Sequence, residues 1–213
     1  MTGETIALDE LEHDALTELV NIGVSRAAMS LRKMVDEQVL LSVPSIEVVT
    51  RQHAVTLIRE RENDELVAVC QDFSGVFSGR ALLIFPEKNS LAIVRAVTPG
   101  TLSDSEAADL EDEALTETGN VVLNGCLATM ANMLQRSLNM SLPHVIRGGG
   151  NILFELDSQT VSGGVVLFLY INFAINDRNI RGYIAMLLDV PSMATLKTLI
   201  GEFIARAIGG EPS

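Results

Sequence analysis

The stretch LEHDALTELVN, Leu11–Asn21, is written a second time as LEDEALTETGN, Leu110–Asn120. Under a shift of 99 positions seven of the eleven residues are identical. The same shift, with no gap, carries Met34 onto Met133, Ser42 onto Ser141 and Pro44 onto Pro143. A chance likeness between two short helices would not extend to a proline 23 positions beyond the asparagine. The chain therefore reads as one domain built from two copies of a unit, approximately residues 1–100 and 101–213.

Each copy follows the same order. In the first, Leu16, Leu19, Val20, Ala27, Leu31 and Met34 recur at helical spacing, predicting a helix from about Ile6 to Asp36 with Thr5 or Asp9 as its cap. Strand-like runs follow at Ile46–Val49, His53–Ile58, Leu66–Phe73 and Arg80–Phe85. A short helix over Lys88–Val97 stops at Pro99-Gly100. In the second copy a long helix is expected over Ser103–Leu138, then strands at Ile152–Leu156, Val161–Asn172 and Ile180–Leu188. A last helix covers Pro191–Ile208, and Gly148-Gly149-Gly150 reads as a flexible turn. The fold class is α+β: helix–strands–helix halves related by a pseudo-two-fold axis, their long helices on an antiparallel-rich sheet. A lone half would expose apolar surface, so the two sheets are expected to share one core.

Composition narrows the function. The 213 residues carry 15 Lys and Arg against 28 Asp and Glu, a formal charge of −13, with 47% apolar and 20% charged residues. That is too apolar for a disordered chain. Strong acidity with no basic cluster excludes a nucleic-acid backbone as partner and disfavours anionic membranes. The longest fully apolar run, Val165–Ile171, is seven residues, far short of the ~20 that span a bilayer. The N-terminus is acidic and polar, unlike a signal peptide, so a cytoplasmic protein is expected. Cys70 and Cys126 lack metal-ligand spacing and read as buried small hydrophobes. His13, His53 and His144 form no metal or catalytic cluster.

One constellation stands out. Asp14, Glu18 and Asn21 are spaced i, i+4, i+7, which puts them in one narrow stripe opposite the apolar residues. Glu113, Glu117 and Asn120 repeat it. A solvated face needs polarity, but it does not need an acid, a Glu and an Asn at fixed offsets twice. Asn is also a poorer helix former than Glu or Lys. Pro44 and Pro143 are each expected to end the run before the first strand and to set how the chain enters the sheet.

The pattern of an acid, x3, Glu, x2, Asn, x22, Pro resembles the signature of the CheC/CheX/FliY family of chemotaxis phosphatases. Asp14, Glu18, Asn21 and Pro44 carry it once, and Glu113, Glu117, Asn120 and Pro143 carry it again. Two copies without a C-terminal flagellar-switch extension look most like CheC. Glu113 departs from the Asp or Ser usual at its position. The resemblance implies hydrolysis of the aspartyl phosphate of a CheY-like response regulator. The protein would have no cofactor of its own, Mg²⁺ and a lysine being supplied by the regulator. Glu18 and Glu117 would anchor that lysine, while Asn21 and Asn120 would orient the attacking water. Asp14 and Glu113 would support them. The competing readings are a non-enzymatic adaptor for a response regulator or a CheD-like deamidase, and a structural relative of the flagellar switch.

Overall fold

The computed structural model describes residues 7–35, 39–62, 65–98, 100–154, 164–175 and 178–209. The expected long helix forms as α1, Glu10–Val35. Asp9 caps it: the Glu12 amide donates to Asp9 Oδ1 and the Asp9 amide donates to Glu12 Oε2, both at 2.8 Å. The alternative cap, Thr5, lies outside the described residues. Leu16, Leu19, Val20, Ala27 and Leu31 are fully buried, as their spacing predicts. The second long pattern is broken at Leu110 into α4, Asp104–Asp109, and α5, Glu111–Met133. It ends before the expected Leu138. Gln135 adopts a left-handed φ of 57°, and the amides of Gln135 and Arg136 turn back to the carbonyls of Asn132 and Ala131.

Among the described residues, seven strands form a single antiparallel sheet. These are β1, Val39–Thr50; β2, Leu66–Gly75; β3, Gly79–Pro86; β4, Leu138–Met140; β5, His144–Gly148; β6, Val165–Ile175; and β7, Arg178–Leu188. The order is β1-β6-β7-β3-β2, with β4 and β5 placed end to end on the outer edge of β2. If β1 is set against β4 with β5, β2 against β6 and β3 against β7, the order is the same read from either edge. The leading strand of each half pairs with the other half: β1 with β6, and β4 and β5 with β2.

Two expected strands are helices. His53–Ile58 lies within α2, Arg51–Arg61, where Thr50 caps the first turn through the His53 amide. The β-branched residues there favoured a strand. The buried pair Ala54 and Ile58, one helical turn apart, decides otherwise. Ile152 and Leu153 lie in α6, Gly150–Leu153, Phe154 follows as its C-cap, and Glu155 and Leu156 fall outside the described residues. The predicted short helix splits into a 3-10 turn, Glu87–Asn89, and α3, Ser90–Val97. The last helix, α7, runs Val190–Gly209 with Pro191 in its first turn. Strands β4 and β5 were not anticipated.

Both faces of the sheet are covered. On one, α1, α3, α5 and α7 bury Val67, Val69, Leu83, Phe85, Leu167 and Leu169. On the other, α2 and α6 cover Ala68, Leu82, Ile84, Phe168, Tyr170 and Tyr183. Consecutive residues of each strand therefore serve opposite cores. This explains why β2 reads as a continuous apolar run rather than an alternating one. Each large side chain buried in this way contributes about 1.5–3 kcal/mol.

Pro44 corrects an expectation. It does not precede the first strand but lies inside β1, where the register slips between Ser42 and Ser45 and two residues stand opposite one on β6. Pro143 joins β4 to β5, and there too three residues oppose two on β2. Both β1 and the β4–β5 pair are edge strands. There a residue without an amide hydrogen costs little, and a bulge re-aims the chain. Across the second break, Ser141 bonds to both the carbonyl and the amide of Asp72 and accepts from Gln71 Nε2.

Candidate functional site

The two stripes lie on α1 and α5, which pack against one another on the same face of the sheet. Their approach is close because small residues meet at the crossing. A Cβ on Gly23 would stand 3.0 Å from the Cys126 carbonyl oxygen, and one on Gly125 would stand 3.0 Å from Ala27 Cα. Gly119, next to Asn120, brings α5 against the sheet: a Cβ there would lie 2.4 Å from Val69 Cγ1. The asparagines thus sit on helices whose opposite sides are held tightly by core contacts.

In the first stripe Asp14 and Glu18 are exposed and Asn21 is half-buried. In the second, Glu113 and Glu117 are exposed and Asn120 is half-buried. The structure therefore brings each Glu–Asn pair together on one helix face, with the glutamate in solvent and the amide seated against the protein. Among the described residues, no hydrogen bond or ion pair engages the side chains of Asp14, Glu18, Asn21, Glu113 or Glu117.

The carboxylates at the helix starts behave differently. Glu12 lies 3.2 Å from Lys197 Nζ, which also donates to the Ala7 carbonyl. Arg147 lies 2.6 Å from Asp112, 3.2 Å from Glu111 and 3.6 Å from Glu87. Its pKa is raised, first by the bond to Asp112. Glu12, Glu111 and Asp112 thus have basic partners, while among the described residues the two carboxylates of each stripe have none. A partner bearing an ammonium or another cation would meet them without displacing an internal pair.

One residue was missed. Asn124 Nδ2 donates to Asn120 Oδ1 at 2.6 Å, and Asn124 Oδ1 is buried without a hydrogen-bond partner. Such an orphaned acceptor costs about 1–3 kcal/mol. The available signal was the i, i+4 spacing from Asn120 together with Ser25 at the matching position of the first copy.

Other locations fit less well. A cavity of about 230 Å³ opens by the far face of the sheet, lined in part by Arg61, Tyr170, Arg181 and Tyr183. Arg61 stacks 3.9 Å over the Tyr170 ring, whose hydroxyl is buried without a hydrogen-bond partner among the described residues, and Tyr183 donates to Glu62. Among the described residues, no group of His, Cys, Asp or Glu could hold a metal ion. Cys70 and Cys126 are free and buried, as expected, and burial pushes their thiols up to about 11 and about 12. His13 is half-buried, with Nε2 3.4 Å from the Ile46 carbonyl oxygen, while His53 and His144 are exposed. No helix among the described residues is long and apolar enough to cross a membrane.

With this geometry in place, the comparisons with known proteins converge. The chain is 24% identical over 140 residues to the flagellar motor switch phosphatase FliY of Bacillus subtilis. That match takes in 65% of this chain but only 36% of that protein's length. It is 22% identical over 136 residues to CheC1 of Halobacterium salinarum, named for a CheY-P phosphatase activity, over 63% of this chain and 68% of that one. Among solved structures, Thermotoga maritima FliY superposes with a TM-score of 0.72 at 15% identity, covering 93% of this chain and all of that one. The chain resembles the CheC/CheX/FliY chemotaxis proteins. The family's α+β fold, a broad antiparallel sheet with helices packed on it, is the one described above. The same fold extends to the FliM middle domain of H. pylori, with a TM-score of 0.60 at 8% identity over 90% of this chain and 99% of that one. No family model matches the chain.

Proposed function

We propose that this protein hydrolyses the aspartyl phosphate of a CheY-like response regulator, using one Glu–Asn pair on each long helix. The reading is carried by one observation: an exposed, unpaired glutamate one turn from a half-buried asparagine, present on both α1 and α5 at matched positions. The sequence likeness to proteins named as phosphatases supports it.

In this reading Glu18 and Glu117 receive a lysine ammonium of the regulator, and Asp14 and Glu113 add negative charge beside it. Asn21 and Asn120 hold a water in line with the phosphorus. The water oxygen bonds to phosphorus, the bond from phosphorus to the aspartyl oxygen breaks, and the carboxylate leaves with the electron pair. The proton given up by the water ends on inorganic phosphate. An acyl phosphate is already activated, so positioning supplies the catalysis and no covalent enzyme intermediate is needed. The metal that balances the phosphoryl charge belongs to the regulator. Pro44 and Pro143 act indirectly, by fixing the matched edge-strand breaks.

We also infer that the two halves, approximately 1–100 and 101–213, are repeats related by a pseudo-two-fold axis. Three pairs of elements support this: α2 and α6, β2 and β6, and β3 and β7 each begin 99 residues apart.

The test is release of phosphate from phosphorylated regulator with protein at substoichiometric concentration. Asn21→Ala with Asn120→Ala is expected to lower turnover by about 100-fold, and an unchanged rate would overturn the proposal. The likeness to the FliM middle domain favours a second reading, a switch scaffold. Binding of the regulator without turnover would select that scaffold, or an adaptor that also engages a CheD-like deamidase.

A further inference from the structure

The two sites are alike in their Glu–Asn pairs but not in what lies one turn further along each helix. Asn120 Oδ1 accepts a hydrogen bond from Asn124 Nδ2 at 2.6 Å. At the matching position of α1 stands Ser25, which is exposed and makes no hydrogen bond to Asn21 among the described residues. Asn124 is half-buried, and its own carbonyl oxygen is enclosed and unpartnered, so its amide is held in place by packing.

We infer that Asn124 is a positioning residue that makes the second site the slower of the two. A carboxamide has an acceptor end and a donor end. With its oxygen turned toward Asn124 and one lone pair taken, Asn120 presents a substrate mainly its N–H groups. Asn21 can offer its oxygen. A water attacking phosphorus must aim a lone pair at phosphorus and an O–H at an acceptor. An amide oxygen fixes that orientation, whereas an amide N–H draws the water's lone pair towards itself and away from phosphorus. Site one is therefore arranged for attack as it stands. Site two must first turn the Asn120 oxygen away from Asn124.

This inference rests on the proposed phosphatase reading, and exchange of the two flanking residues tests it separately. Phosphate release is measured as kcat and KM for phosphorylated regulator. Asn120→Ala, which leaves site one, is expected to keep most of the wild-type kcat, and Asn21→Ala, which leaves site two, to lose most of it. Adding Asn124→Ser to Asn21→Ala is expected to raise kcat at least several-fold with KM unchanged. Adding Ser25→Asn to Asn120→Ala is expected to lower kcat by a similar factor. Asn124→Asp cannot donate, turns the Asn120 amide round, and is expected to give the same gain as Asn124→Ser. A structural role alone would move the melting temperature and the yield of folded protein without this kcat-selective gain. If Asn21→Ala with Asn120→Ala retains wild-type turnover, the phosphatase reading itself fails. If that double variant is inactive while both Asn124 substitutions leave the kcat of site two unchanged, the phosphatase reading stands and the inference about Asn124 is overturned.

Discussion

Among the described residues Glu18 and Glu117 make no hydrogen bond or ion pair, and their charge gives them a role separate from that of the asparagines. Removing the charge while keeping the shape, by Glu18→Gln with Glu117→Gln, is expected to raise KM for the regulator several-fold and to lower kcat less than the asparagine substitutions do. Added salt is expected to raise the wild-type KM in the same direction and to raise that of the double Gln variant less, because it screens exposed charges and Asp14 and Glu113 remain. A salt response equal in both proteins would show that these carboxylates do not meet a cation. At the buried end of the same helices, Cys126 makes a different prediction. Its folded-state pKa, about 12, lies above the ordinary thiol value of 9.0, because burial disfavours the thiolate. The neutral thiol thus adds stability that is complete below pH 9 and is lost as pH rises from 9 towards 12. Urea unfolding midpoints measured from pH 8 to 10.5 are expected to fall, and to fall less steeply in Cys126→Ala.

Among the elements, the long helices α1 and α5 matter most, and Gly119 shows what their placement demands. Gly119→Ala would drive a methyl into Val69 and is expected to cost about 1–3 kcal/mol by overpacking, read as a lower urea midpoint. It would also push Asn120 outward, so the activity of site two should fall in the folded fraction. How far these elements were legible in the sequence depends on which force set them. Burial on one face wrote α1 plainly, and burial on both faces wrote β2, β3, β6 and β7 as apolar runs. Helix α2 was misread because Val55, Thr56 and Ile58 favour strands, whereas its cap at Thr50 and the buried pair Ala54 and Ile58 outweigh that preference. The end of α5 was misplaced because a glutamine rather than a glycine takes the left-handed position. Strands β4 and β5 are short edge pieces, largely half-buried or exposed, so they carry little hydrophobic pattern. The stripe residues were legible because helical spacing alone puts them on one face. For Asn124 only the i, i+4 spacing from Asn120 was legible, because spacing does not encode the contact between the two amides.

For the whole molecule, the governing fact is that neither half owns its sheet. Each leading strand is paired with the opposite half, so residues 1–100 alone would leave β1 without β6, and β2 and β3 without their other neighbours. Separate chains of residues 1–100 and 101–213 are therefore expected to show little cooperative unfolding alone, and to gain secondary structure by circular dichroism when mixed. A sharp melting transition in either fragment by itself would contradict this. The exchange also bears on how the chain is made. During synthesis β1 emerges well over a hundred residues before the β6 strand it must join, a wait of roughly 6–25 s at about 5–20 residues per second. Throughout that time the nascent chain carries an apolar strand with no partner, which the ribosome's surroundings must keep from pairing with a neighbouring copy. Pro44 lies within that waiting strand. A strand that lacks one amide hydrogen is a poorer template for another chain, so Pro44 is expected to disfavour such pairing as well as shaping the folded edge.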